Sequence, residues 1–598
     1  MSKTRVTDYI ANFIYNKGIE EVFMVTGGGA MFLNDGVAKH LQLKAVCNHH
    51  EQACAMGAVG YAKYRGLAAA YFSTGCGGTN AVTGLLDAWQ DNVSCMFFSG
   101  QVKLKETTRN SGLKLRGFGV QEADIIPIVE SITKYAVMIN NPLKIAYHLE
   151  KAYFLATTGR KGPIWIDVPM DIQAAWIEED ELEHFDSQSV ESVQIIPSPT
   201  QIDLFKNKLK KAQRPVILAG NGIRLSGAVE EFKECIHEYN IPVVVTYLGV
   251  DFLQSTDPLY VGRVGTKGDR AGNFALQNAD LVLSIGCRLS VSVIGYEYDL
   301  FAREAELLVV DIDEEEHKKD TVKIDHFLQS DAKEFFKAMA STTKKADQGW
   351  VEKCLKWRDQ WPVCLPEYQN ETDGINMYYF MDRLSDHLRK YDVVVSDAGS
   401  AIYVVSQALK INAEQRYINS GGQADMGFTI PAAIGVCIAK NSADVIAITG
   451  DGSFQLNIQE LQTIVHLNLP IKIFVWNNNG YLSIRASQRK FFEGRFIGTD
   501  STNGVSFPEL EKIAGAYGIQ FFKVSDSRAL NSTLELVLGF KGPVICEVIV
   551  PSDQEVVPAV SSLKKPDGTI VSKPLEDMYP FLDRDVFLNE MIVAPIEE

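Results

Sequence analysis

Apolar, β-branched runs that stop at a glycine turn and give way to a helical pattern recur along this chain, and that alternation constrains the fold most. Glu21-Val22-Phe23-Met24-Val25 runs into Gly27-Gly28-Gly29, and a helix-like stretch follows from Glu51 to Arg65. Pro215-Val216-Ile217-Leu218-Ala219 runs into Gly220-Asn221-Gly222, and Val445-Ile446-Ala447-Ile448-Thr449 into Gly450-Asp451-Gly452. Continuous rather than alternating hydrophobicity marks strands buried on both faces, as in a parallel sheet covered by helices. At 598 residues the chain exceeds what one core can organise. The expected architecture is therefore α/β, with three doubly wound parallel-sheet domains at residues 1–185, 195–345 and 365–555. A polar, proline-bearing linker runs from Asp186 to Pro199, and a polar stretch from Ala340 to Gln348 leads to the tryptophan-rich segment Trp350 to Trp361. Residues 556–598 lose periodicity and read as a tail draped over the domains, fraying at its end.

A formal charge of −17 with no Lys/Arg-rich stripe argues against a nucleic-acid partner. No apolar run approaches the ~20 residues of a membrane span, and Met1 to Val6 lacks the apolar core of a signal peptide, so a soluble, cytoplasmic protein is expected. The ten cysteines show no two-residue pairing typical of zinc or redox motifs, and most read as reduced core thiols.

Chemistry concentrates where Gly450-Asp451-Gly452 ends one strand and Asn477-Asn478-Asn479 ends the next, with Asn478 27 residues after Asp451. The stretch between them, Phe454 to Leu467, reads as helical, so one strand–helix–strand unit delivers both side chains to the same sheet edge. A carboxylate, an amide oxygen and a main-chain carbonyl beside open positions suit an octahedral Mg²⁺ completed by a diphosphate and water. The helix start near Ser453 and Phe454 adds N–H groups facing the same phosphates. Alone, the triplet reads as a turn and the asparagines as strand caps.

Three further segments change that balance: His49-His50-Glu51-Gln52-Ala53, Gly421-Gly422-Gln423-Ala424-Asp425-Met426-Gly427, and Ser73-Thr74-Gly75-Cys76-Gly77-Gly78-Thr79-Asn80. Together with Asp451 and Asn478 they resemble the thiamine-diphosphate-dependent enzymes, in family order over nearly the whole chain, with Cys76 where the family has proline. Thr26-Gly27-Gly28-Gly29-Ala30, Ser99-Gly100-Gln101-Val102, Gln121-Glu122-Ala123-Asp124 and Gly452-Ser453-Phe454-Gln455 look most like the acetolactate (acetohydroxyacid) synthase group.

The resemblance implies a pyrimidine-binding domain, a central Rossmann-like domain and a diphosphate-binding domain. It implies that Asp451, Asn478 and the Gly480 carbonyl hold the metal. Gln101, Gly422, Gly450, Gly452, Ser453, Tyr481 and Leu482 would line the cofactor, the Ala424 carbonyl would accept from its 4′-amino group, and Met426 would wedge between its rings. Glu51 would hold the proton at N1′ of the pyrimidine, a task suited to a glutamate whose pKa is raised by burial. Gly28, Gly29 and Gln121 would hydrogen-bond the developing alkoxide. A homodimer or homotetramer is implied, with Glu51 of one subunit facing Asp451 of another. FAD is implied in the central domain, with Arg160, Gly220, Asn221, Gly222, Arg288, Asp311 and Asp313 as its contacts.

The implied activity is carboligation or decarboxylation of a 2-keto acid, pyruvate first among donors. Two positions depart from the group. Its acceptor-gripping arginine aligns with Ser292 and its pocket tryptophan with Ser487. Losing a bidentate clamp and a bulky wall argues for a larger or uncharged acceptor, such as a nucleotide-linked keto sugar, unless Arg263, Lys267 or Arg485 supplies a displaced clamp. A simple decarboxylase, a dione hydrolase and a catalytically silent regulatory homologue remain alternatives.

Overall fold

Strands and helices alternate into sheets of six parallel strands, one in each third of the chain. The structure, a computed structural model, describes residues 3–189, 196–340, 345–412, 414–564 and 569–596. Most of the expected linker's centre, four residues after Ala340 and the last two of the tail lie outside the described residues.

The first sheet comprises Glu21–Met24, Lys44–Cys47, Ala68–Phe72, Cys95–Gln101, Tyr135–Met138 and Ile164–Pro169. Its lateral order is second, first, third, fourth, sixth, fifth. The last sheet, built from Val393–Ser396, Arg416–Ile418, Val445–Gly450, Ile471–Asn477, Gln520–Val524 and Val544–Ile549, repeats that order. The central sheet differs: Pro215–Ala219 and Leu281–Ile285 lie side by side in its middle, and successive strands spread outward from them in both directions. That reversal creates a crevice at the strand ends where a ligand can lie. All pairings within these three sheets are parallel. Inner runs such as Ala68–Phe72 and Val393–Ser396 are buried on both faces, whereas edge strands such as Lys44–Cys47 and Gln520–Val524 are partly exposed.

The first and last domains meet through two helices, Glu51–Arg65 and Thr429–Ala439. Glycine permits the closeness of that crossing. A Cβ on Gly435 would lie 1.9 Å from the Gly57 carbonyl oxygen, and one on Gly60 would lie 2.5 Å from that of Ala432. Polar links flank the crossing: Asn48 Nδ2 and the His49 N–H each donate to Glu460 at 2.9 Å, and Lys63 Nζ donates to the Asn419 carbonyl at 2.8 Å.

The tail is more ordered than its composition suggests. It contains the helix Arg584–Glu590 and short antiparallel pairings, Ala559–Val560 with Met578–Tyr579 among them. It lies along the central domain, where Gln277 Nε2 donates to Glu576 at 2.7 Å, Trp357 Nε1 donates to Glu590 at 2.8 Å, and Phe587 packs edge-on against Phe274. All ten cysteines are free; seven are buried, as expected for most of them, and Cys47 and Cys76 are exposed. Among the described residues no helix is long and apolar enough to cross a membrane.

Candidate active site

Strand Val445–Gly450 pairs with Ile471–Asn477 so that Gly450 lies opposite Trp476. Asp451 and Asn478, one and two residues beyond that rung, therefore leave the sheet at the same edge. Asp451 is buried, its Oδ1 accepting from the Gly452 N–H at 2.7 Å and its Oδ2 from the Gly480 N–H at 2.9 Å. Burial pushes its carboxyl up to about 6, against the pull of those two N–H groups. Asn478 is equally buried, and its Oδ1 has no hydrogen-bond partner. A buried acceptor left unpaired costs ~1–3 kcal/mol, and beside a buried carboxylate the missing partner is a cation. The donor set is all hard oxygen and fits Mg²⁺.

The loop beyond Asn478 is shaped for this edge. Gly480 has φ +146, and a Cβ there would lie 2.1 Å from the Thr499 carbonyl oxygen. Arg485 braces the loop from below, donating to the carbonyls of Asn478 at 3.0 Å, Asn479 at 3.1 Å and, more closely, Ser552. Tyr481 packs its ring over Gly452, where a Cβ would come within 2.2 Å of Cε1, and Leu482 is buried at the start of helix Leu482–Phe491.

Ser453, in the short helix Asp451–Phe454 capped by Gly450, spends its hydroxyl twice: it donates to Asp397 Oδ2 at 2.5 Å and accepts from the Gly427 N–H at 2.7 Å. Only its main chain is left for a ligand. Asp397 also receives the Thr429 N–H at 3.3 Å and the Thr449 hydroxyl at 3.2 Å, and burial pushes it up to about 6. It thus ties three cofactor-facing segments together. No role was read for it from sequence, although an acid ending the run Val393 to Ser396 was a visible signal.

Gly427 follows half-buried Met426, so the Ser453 bond also fixes the methionine's main chain. Ala424, two residues earlier, is a non-glycine residue at φ +53, with its N–H bonded to the Ser420 carbonyl at 2.6 Å. Such backbone costs ~1–3 kcal/mol and collects at functional sites. The Gly422 N–H donates across the domain boundary to Asp91 at 2.8 Å.

The N-terminal domain carries the other half of the predicted set. Glu51 opens its helix and accepts from Asn80 Nδ2 at 3.0 Å, with Gly77 alongside. Among the described residues, none of its hydrogen bonds reaches Asp451, Asn478 or the Ala424–Met426 segment. Gly28 is open to solvent, whereas the Gly29 N–H donates to Ser73 Oγ at 3.3 Å. Gln121 is exposed at φ +62. Gln101 is buried and committed within its own domain: it accepts from Thr74 at 2.6 Å and donates to the Ala123 carbonyl at 2.8 Å and to Asp167 at 3.2 Å.

Three family models match in order: Thiamine pyrophosphate enzyme, N-terminal TPP binding domain over residues 4–134, the central domain over 202–339 and the C-terminal TPP binding domain over 397–548. Similar proteins include the acetolactate synthase large subunit of Lactococcus lactis subsp. lactis, 31% identical over 91% of this chain and 92% of its own length. That of Cyanidium caldarium is 30% identical over the same shares, and the acetolactate synthase isozyme 2 large subunit of Escherichia coli is 29% identical over 95% and 99%. The chain belongs to the thiamine pyrophosphate enzymes of the acetolactate synthase-like family. It is an enzyme, and thiamine diphosphate is its cofactor.

In this thiamine pyrophosphate enzyme the crevice of the central sheet holds a cavity of about 430 Å³, walled by Arg160, Lys161, Asn221, Arg288, Asp311 and Gly422 among others. Gly220 and Gly222 interlock with Gly286: a Cβ on Gly220 would lie 2.2 Å from the Gly286 carbonyl oxygen, and one on Gly222 would lie 2.6 Å from its Cα. Arg288 donates to the Gln90 carbonyl at 3.2 Å. Arg160 is paired with Asp313 at 2.5 Å and Glu316 at 2.8 Å, so Asp313 serves that arginine. Lys161, within Gly159-Arg160-Lys161-Gly162, was missed as a lining residue although the basic pair is plain in the sequence.

Two of the three displaced-clamp candidates are corrected. Arg485 is the loop brace described above. Arg263 is buried, ion-paired with Asp269 at 3.2 Å and bonded to the carbonyls of Ser406 and Gln407. Lys267 donates to the Val556 carbonyl at 3.2 Å, and burial holds its ammonium down at about 8. Ser292 lines the central cavity, with Ser290 Oγ 2.9 Å from its own, and Ser487 is exposed.

Proposed function

We propose that the chain is a magnesium-dependent carboligase that takes an acetyl-type unit from a 2-keto acid, pyruvate foremost, and adds it to a carbonyl acceptor larger than a small 2-keto acid, such as a nucleotide-linked keto sugar. The carrying observation is that, among the described residues, two of the candidate clamps offer no free guanidinium to an acceptor carboxylate. Serines stand at 292 and 487, and Arg263 and Arg485 are spent on carbonyls. Hydroxyls suit a sugar's hydroxyls, and Lys267, a point charge without a carboxylate at ion-pair distance among the described residues, suits a phosphate.

When bound, thiamine diphosphate would supply a nucleophilic carbon for the donor ketone and an electron sink for decarboxylation. Asp451, Asn478 Oδ1 and the Gly480 carbonyl would hold Mg²⁺ beside the diphosphate. The Ala424 carbonyl would accept from the 4′-amino group, and Met426 would pack against the cofactor's rings. Glu51 holds and releases the proton at N1′. Gly28, Gly29 and Gln121 are placed to steady the alkoxide, with Ser73 releasing the Gly29 N–H. As the family resemblance implies, a second copy supplies this carboxylate, and the homodimer is the smallest active unit. FAD fits the central cavity as a bound, non-reacting group against Asn221, Gly222, Arg288 and Asp311, which makes the purified protein yellow.

The test is product analysis by mass spectrometry with pyruvate alone and with pyruvate plus a nucleotide-linked keto sugar. Pyruvate consumption at least about tenfold faster with the sugar, and a sugar two carbons heavier, are expected. Rapid acetolactate formation from pyruvate alone overturns the acceptor assignment, and acetaldehyde as sole product in both mixtures makes the enzyme a decarboxylase.

A further inference from the structure

A second cavity, of about 220 Å³, adjoins the first at the junction of all three domains. Its charged wall comprises Lys63, Arg65, Lys161, Arg224, Arg416 and a single acid, Asp91. Compensation is incomplete. Lys63 is paired with Asp91 at 2.7 Å and Asp87 at 3.2 Å. Arg224 and Arg416 share one carboxylate, Asp251, at 2.5 and 2.8 Å. Arg65 bonds only to neutral oxygens, the Ala439 carbonyl at 2.7 Å and Asn441 Oδ1 at 3.4 Å. Lys161, half-buried, has neither an ion pair nor a hydrogen bond among the described residues, and burial lowers its pKa.

Five cations drawn from three domains thus face a wall that holds one carboxylate, and among the described residues half-buried Lys161 and solvent-exposed Arg65 have no ion-pair partner, an arrangement that favours an anion. The pocket is too small for a nucleotide but roomy for a tetrahedral oxyanion, and the five surrounding cations offer several N–H donors, as phosphate recognition requires. Lys161 and Asn221 line both cavities, so the pocket also opens onto the larger one.

We propose that this junction pocket binds a phosphate dianion, with Lys161 and Arg65 as its uncompensated partners. The dianion is either inorganic phosphate or the phosphate of a nucleotide whose remainder lies in the larger cavity. Occupancy would clamp the three domains together and raise resistance to unfolding with phosphate concentration.

The test uses the full-length enzyme stripped of any flavin and saturated with thiamine diphosphate and Mg²⁺, so that the larger cavity is free and the cofactor's own diphosphate site is filled. Orthophosphate is titrated at constant ionic strength against chloride, and heat of binding and melting temperature are followed. One saturable site per chain and a rise in melting temperature are expected. Lys161→Met and Arg65→Gln should each weaken binding by about tenfold or more, while Lys44→Gln, on the exposed surface, leaves it unchanged. Without phosphate, Lys161→Met should melt no lower than the parent, because it removes an unpaired cation, so a folding defect cannot mimic the result. AMP binding at least about tenfold tighter than orthophosphate identifies the nucleotide source, and AMP binding no tighter identifies the free ion. Absence of saturable binding of both up to ~10 mM, or affinity unaltered in both cavity variants, overturns the proposal.

Discussion

Asp451→Ala should abolish productive uptake of thiamine diphosphate: the apparent dissociation constant measured at saturating Mg²⁺ should rise by at least about hundredfold, beyond the ~10–100-fold typical of losing an outer partner of a metal ligand. Asp451 is the one carboxylate in the proposed ligand set, and it lies opposite an amide oxygen that has no other partner. The empty variant should remain folded. Burial already holds this carboxyl at about 6, so its charge opposes folding near neutral pH instead of supporting it. Melting of the cofactor-free variant at or above the parent's temperature would separate loss of binding from loss of structure. Near-parental cofactor affinity would remove Asp451 from the metal site.

Glu51→Gln is expected to behave oppositely, binding the cofactor within a few-fold of the parent but turning over ~10²–10⁴ times more slowly, the usual weight of a lost proton-transfer group. The two variants together test where the site is assembled. If Glu51 of one copy serves Asp451 of another, subunit exchange between Glu51→Gln and Asp451→Ala chains regenerates one intact site per mixed dimer. Activity should then rise from near zero to roughly a quarter of the parent's for random pairing. Sites built within a single chain give no such recovery. Within one chain Glu51 is bonded to Asn80, and its neighbours His49 and Gln52 lie against Glu460 and Asn457, beyond the Asp451 turn.

The edge that brings Asp451 and Asn478 together was legible because local rules over-determine it. Two buried runs separated by one helix must lie parallel, and a parallel register leaves only a residue or two of freedom at their ends, so Asp451 and Asn478 could be brought together from spacing alone. The docking of the first domain on the last was not legible in this way. It depends on contacts such as Gly435 against Gly57, hundreds of residues apart, where the informative feature is a missing side chain.

Arginines misled for a related reason. Sequence shows that Arg263 and Arg485 carry charge but not where they point, and both turn inward to satisfy carbonyls at chain turns. Lys161 is the converse: one letter in a basic pair gains meaning only when three domains close around it and, among the described residues, none of them gives it an ion pair. The tail helix Arg584–Glu590 spans seven residues, too few for an apolar period to register. Its stability comes from tertiary packing of Phe587 and the clamp on Glu590.

The most direct test is equilibrium dialysis of thiamine diphosphate against the metal-free protein, with and without Mg²⁺. Saturation near one cofactor per chain with the metal, and loss of most binding with a chelator, are predicted. Binding indifferent to Mg²⁺, or no binding in either state, would contradict the reading of Asp451 and Asn478 as the cofactor's anchor.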